Sequence, residues 1–134
     1  MTLENLDLDK LVSLREELAY LSKYKSAETL LDKVSEIIKK KKCYLESLIN
    51  NYYKATSRGR INYYYIKSIN ISKIGKIKID YNFASYNRST GKYTLEETEK
   101  LIVKGNNLMI SGTNSSCIPI TKKHWDRVNQ SFCH

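Results

Sequence analysis

Between Arg58 and Lys92 the chain interleaves cations with aromatic rings: Arg58, Arg60, Tyr63, Tyr64, Tyr65, Lys67, Lys78, Phe83, Tyr86, Arg88 and Lys92. Guanidinium and ammonium groups pair with phosphate and flat rings stack on bases. The side-chain amides of Asn82, Asn87, Asn106 and Asn107 add paired donors and acceptors suited to a base edge. Stacking is worth ~1–3 kcal/mol per base, so two or three rings with a phosphate clamp would hold a nucleotide firmly. The polar loop from Ser85 to Lys92 reads as one wall of a pocket, with Tyr86, Asn87 and Arg88 facing Arg58 or Arg127. Tyrosines in strands are more often packing than ligand contacts. At least half of these are expected in the core, Tyr81 first, because it alternates with Ile77 and Ile79.

Catalysis has less to stand on. Of the two histidines, His134 is the C-terminal residue, which leaves His124 for any His-based triad. Cys117 precedes Ile-Pro-Ile and reads as a core thiol rather than a nucleophile. Asp80 is the only acid between Glu46 and Glu96, and Glu96, Glu97 and Glu99 fall on one solvated turn. Gly75, Gly91 and Gly105 are too scattered for a phosphate loop, and Cys43, Cys117 and Cys133 have no metal-ligand spacing. The expectation is a binding protein with no catalytic residue, no cofactor and no metal site.

Composition bounds the class. The 134 residues carry a formal net charge of +9, enough chain for one modest core and too little for two large domains. Lysine and arginine outnumber acids 12 to 9 in the first sixty residues and 11 to 5 in the rest, so the second part is the more basic. Anionic partners follow: nucleotides, nucleic acid or an acidic surface. A lysine-rich surface that merely keeps a small protein in solution is the plain alternative for any single residue. The odd cysteine count is no disulfide framework, and no apolar run is long enough to span a membrane. The acidic start is unlike a signal peptide. A cytoplasmic location is expected, and the heavy use of Lys, Ile, Asn and Tyr fits an AT-rich bacterial or phage genome.

The elements that must position these residues are legible from periodicity. Leu11, Leu14, Leu18 and Leu21 mark a helix over Leu6 to Ser22. Leu31, Val34, Ile38, Leu45, Leu48 and Tyr52 mark a longer one from Ser26 to Tyr53, interrupted at Lys41 inside a four-lysine run. Two helices joined by Lys23-Tyr24-Lys25 are most simply an antiparallel hairpin. The surplus of the second needs cover from the rest of the chain or from another copy, so a homo-oligomer, a dimer or a multiple of dimers, is expected. Strands are predicted over Ile61 to Ile71, Lys76 to Phe83 and Asn106 to Ser111, with Ile118 to Ile120 extended. The capping-box spacing of Thr94 and Glu97 predicts a short helix over Leu95 to Val103, although Leu101 to Val103 would also suit a strand. Thr121 can cap a last helix through Asn129 that presents Lys122, Lys123, His124, Trp125 and Arg127. The fold class is α+β: a helical hairpin or coiled-coil arm over residues 1–58, then a small, mainly antiparallel sheet unit over residues 59–134.

This layout, with Arg58, the segment Phe83-Ala-Ser-Tyr-Asn-Arg88 and a following Thr-Gly turn, resembles the phage Thoeris anti-defence sponge family. The resemblance implies a non-enzymatic phage protein of the host cytoplasm that sequesters a cyclic nucleotide immune signal, a cyclic ADP-ribose isomer, and assembles as dimers or higher multiples. Relatives in that family can also bind cyclic oligonucleotides at separate places. Under it, Arg58 would face phosphate and Phe83 would stack on a base. Tyr86, Asn87 and Arg88 join the candidate ligand site on chemical grounds, with Lys123 and Arg127 as further cations. Two other readings stand beside it: a small basic phage or mobile-element protein that binds nucleic acid or inhibits a nucleic-acid-guided nuclease, and a purely structural coiled-coil adaptor.

Overall fold

Leucines spaced three and four apart make helix α1 (Leu8–Tyr20), whose Leu8, Leu11, Val12 and Leu18 are buried. Helix α2 (Lys25–Ser47) packs on it through Val34, Ile37, Ile38 and Leu45. Each fully buried side chain of this kind contributes ~1.5–3 kcal/mol. The computed structural model describes residues 3–21, 23–95, 100–105, 107–113 and 115–130. The chain divides into two compact units, Met1–Ser47 with Ile69–Lys78, and Leu48–Ser68 with Ile79–His134.

In the first unit the break at Lys41 has a local explanation. Lys41 is buried, and its Nζ donates to the Glu4 carbonyl at 2.7 Å, anchoring a 3₁₀ turn (Leu3–Asn5) that precedes α1. Burial lowers the ammonium pKa below its ordinary value, while the charges of Asp7 and Glu4 pull it back up. The turn at residues 72–76 belongs to the same unit. Gly75 sits there at φ +84° against the start of α1, where a Cβ would lie 2.8 Å from the Asp9 Cα and the Leu8 carbonyl oxygen. Only glycine fits both that backbone angle and that space.

The long helix ends earlier than its stripe predicts. α2 stops at Ser47, and Tyr52–Ser57 form strand β1 instead of two further helical turns. Asn50 adopts φ +66°, its amide donates to the Ile66 carbonyl, and the Ile66 amide donates back to the Asn51 carbonyl. Two asparagines tolerant of left-handed geometry, followed by two β-favouring tyrosines, hand the chain to the sheet. The seam residues Leu45 and Leu48 are both buried within the single chain, so neither requires a second copy to cover it.

The sheet has five strands in the order β4-β3-β2-β1-β7, built from β1, β2 (Arg60–Ile71), β3 (Ile77–Asn87), β4 (Lys92–Thr94) and β7 (Ile118–Ile120). The β1–β2, β1–β7 and β3–β4 pairs are antiparallel. A separate hairpin joins β5 (Leu101–Lys104) to β6 (Asn107–Ile110). The Leu101–Lys104 segment is therefore strand and not the end of a helix; Glu96, Glu97 and Glu99, on which the helix would begin, lie outside the described residues. Helix α3 (Lys122–Gln130) follows β7, with the His124 amide donating to the Thr121 hydroxyl in the capping position. The expected α+β architecture, a helical pair and then a mostly antiparallel sheet with a short last helix, is the one observed. Among the described residues no helix is long and apolar enough to cross a membrane.

Candidate functional site

Strand geometry sends alternate side chains to opposite faces, and the register fixes which residues share one. Tyr52 pairs with Tyr65, Lys54 with Tyr63 and Tyr86 with Tyr93. These side chains lie on the sheet face covered in part by α3, whose Trp125 and Val128 close a core with Tyr63 and Ala84. Near Trp125 the rings are packing: Tyr52 stacks on Tyr65 at 4.9 Å and both lie tilted to Trp125.

Farther along the same face Tyr63 has Tyr86 and Tyr93 as neighbours. Tyr86 and Tyr93, both half-buried, pair at 4.8 Å between ring centroids. Burial raises the Tyr63 phenol above its ordinary pKa, and neighbouring Tyr93 and Tyr86 push it further, so it stays a neutral donor. His124 meets the Tyr63 ring edge-on at 5.6 Å. Its imidazole is held below the usual histidine pKa by burial first, then by the charges of Lys54 and Arg127. The half-buried Lys54 and the exposed Arg127 are thus close enough to His124 to act on it. At 100° per residue Arg127 lies on the side of α3 that carries His124, Trp125 and Val128 face the core, and Lys123 points away from it. Three phenols, an imidazole and two cations therefore line one strip of the sheet.

That strip absorbs only part of the expected site. Tyr86 and Arg127 belong to it, whereas Lys123 is exposed on the side of α3 turned away from the core. Phe83 does not: three residues before Tyr86 on β3, it emerges from the other face, half-buried against Tyr64 at 5.6 Å. Tyr81 lies on that other face too, its ring edge-on to Tyr64 and its hydroxyl accepting from the Leu101 amide at 3.1 Å, which ties the sheet to β5. The Asn87 side chain is occupied in shaping its own turn, accepting from the Ser89 and Thr90 amides at 2.9 and 3.3 Å. Arg58 and Arg88 are exposed in two adjoining hairpin turns, joined by the Arg88 amide donating to the Gly59 carbonyl at 3.0 Å.

The strip also contains residues that sequence reasoning passed over. Tyr93 was recoverable from the Thr90-Gly91 turn, because a hairpin closed there sets Tyr86 opposite Tyr93. His124 had no such signal, since its role depends on the fall of α3 across β1 and β2. Cys117 is not activated for chemistry: burial pushes its thiol up to about 12. Among the described residues no three His, Cys, Asp or Glu side chains converge as a metal site would need. A small open cavity of about 290 Å³ lies instead on the β5–β6 hairpin, lined by Ile102, Lys104, Met109, Ile110, Gly112 and Thr113, and shares no residue with the strip.

Fold and site together define an α+β protein with an aromatic, cationic sheet face. No protein-family model, no curated protein and no solved structure matches the chain.

Proposed function

We propose that this protein binds a nucleotide on the Tyr63, Tyr86 and Tyr93 strip and holds it without chemical change. The observation that carries the reading is that Tyr63 has Tyr86 and Tyr93 as neighbours and meets His124 edge-on, with Lys54 and Arg127 near the imidazole. Rings at a half-exposed position offer a stacking surface, phenol and imidazole N–H and O–H groups donate to phosphate oxygens, and two fixed cations supply the opposite charge. Among the described residues the strip holds no carboxylate, and Cys117 is not activated; both support binding without turnover. Binding and release of an intact ligand is the chemistry such a surface performs.

The finer form of this reading is a phage sponge for a cyclic nucleotide immune signal, a cyclic ADP-ribose isomer or a related cyclic nucleotide, acting in the host cytoplasm as a homo-oligomer. It is supported by the resemblance drawn from Arg58 and the segment Phe83 to Arg88, and by the rings and cations that share the strip. In this reading Tyr86 and Tyr93 take the stacking role in place of Phe83, which emerges from the other sheet face. A thermal-shift screen against cyclic nucleotides, with molar mass in solution measured alongside, tests it. The bound ligand, recovered after heat denaturation, should be unaltered. A cleaved product would make the protein an enzyme, and a silent screen would remove the nucleotide from the account.

A further inference from the structure

We infer that the paired hairpin turns at the end of the sheet form a second anion site, distinct from the aromatic strip, that takes the phosphodiester backbone of a nucleic acid. Four cations are carried at that end of the sheet. Arg58 stands in the β1–β2 turn and Arg60 opens β2 opposite Ser57. Arg88 stands in the β3–β4 turn and Lys92 opens β4 opposite Asn87. The 3.0 Å bond from the Arg88 amide to the Gly59 carbonyl locks the two turns side by side. The four strands that carry them are adjacent in the sheet, so the cations spread over roughly 14 Å, three inter-strand spacings. The two hairpins, residues 51–68 and 81–95, contain no Asp or Glu at all.

Arg58 adds a second kind of observation. It occupies a left-handed position, φ +50°, followed by Gly59 at φ +75°, the pair of angles of a type I′ turn. Asparagine, aspartate or glycine relieves that strain at the first position, and an arginine does not. Strain retained at an exposed turn points to a side chain kept for what it contacts. By the two-residue period, Arg60 and Lys92 fall on the face of Asn62 and Ser85, whose side chains hydrogen-bond to each other at 2.8 Å. That is the face opposite Tyr86 and Tyr93, so the basic end does not simply extend the nucleotide strip.

A backbone-directed site has a measurable signature in salt. Each neutralised phosphate contributes to a linear fall of log K with log salt, with a slope of about −0.7 per contact on single strands and about −0.9 on duplex. Four contacts give a slope of about −3 on single-stranded and nearer −4 on duplex DNA. Fluorescence anisotropy of the full chain with labelled single-stranded and duplex oligonucleotides of mixed sequence, between 50 and 200 mM salt, reads it directly. The expected result is sequence-independent binding, with a slope reduced by about one for each of Arg58→Asn, Arg88→Gln and Lys92→Gln, and left unchanged by Tyr86→Ala. Arg58→Asn should at the same time raise the thermal midpoint, which shows that lost binding is not lost folding. No binding at 50 mM salt, a slope indifferent to the three substitutions, or equal binding of a polyglutamate peptide would each overturn the inference. None of those outcomes touches the cyclic-nucleotide site, which is read separately through Tyr86.

Discussion

Tyr86 and Tyr93 face each other across the β3–β4 pair with their ring centroids 4.8 Å apart, one strand position away from the turn that Asn87 shapes. The asparagine expected to touch a ligand thus holds the scaffold on which two tyrosines are displayed. Asn87→Ala removes acceptors from two backbone amides and should cost ~1 kcal/mol. For a chain of this size that lowers the thermal midpoint by roughly 3–6 °C. An unchanged midpoint in a calorimetric scan would deny Asn87 this part.

Gly75 and Gly59 both have positive φ but differ in their surroundings. At Gly59 an added Cβ meets nothing within 4 Å; at Gly75 it meets the backbone of Leu8 and Asp9 below 3.0 Å. Gly59→Ala should cost only the backbone term, about 1 kcal/mol. Gly75→Ala adds overpacking against an immovable helix start, for about 2–4 kcal/mol in all. Urea titrations of the two variants should separate them clearly, and equal losses would mean that the turn is not seated on α1.

Much of the fold was open to a reader of the sequence, for identifiable reasons. Alternation from Ile77 to Phe83 and the Thr121 cap are local signals, and both elements begin where these put them, although β3 runs on to Asn87 through Ser85 and Tyr86, which read as the start of a polar loop. The end of α2 was hidden because Leu48 and Tyr52 continue a helical spacing while Asn50 and Asn51 break it, and the Ile66 backbone decides the contest. The site was legible as a composition and not as a place. Tyr86 and Arg127 share the strip, Phe83 emerges from the other face by one odd step of three residues, and His124 joins only through the packing of α3.

Lys41 should tolerate loss of charge better than its reversal. Lys41→Met keeps the stem buried in the seam and forfeits the bond to the Glu4 carbonyl, a change of ~1 kcal/mol or less. Lys41→Glu buries a carboxylate beside Glu4 and Asp7 and should cost about 3–5 kcal/mol. Chemical denaturation of both variants checks the order; similar losses would contradict the buried ammonium contact.

His124 makes both stability and binding depend on pH. Its folded pKa lies below the ordinary 6.5, so the unfolded chain takes up the proton first. Stability from this group is complete above about 6.5 and declines as pH falls from there toward the folded value. A bound phosphodiester, which does not itself titrate in this range, favours the imidazolium and should bind more tightly as pH drops below 6.5. His124→Gln should flatten both profiles. Affinity that weakens on acidification would show that His124 does not face the ligand.

Calorimetric titration of a cyclic nucleotide into the wild-type protein and into Tyr86→Ala and Tyr93→Ala tests the aromatic strip most directly. Each substitution removes a stacking surface worth ~1–3 kcal/mol, so affinity should fall about 5- to 150-fold while the fold persists. Full affinity in both variants, or loss only on Phe83→Ala, would contradict the placement of the nucleotide on this face.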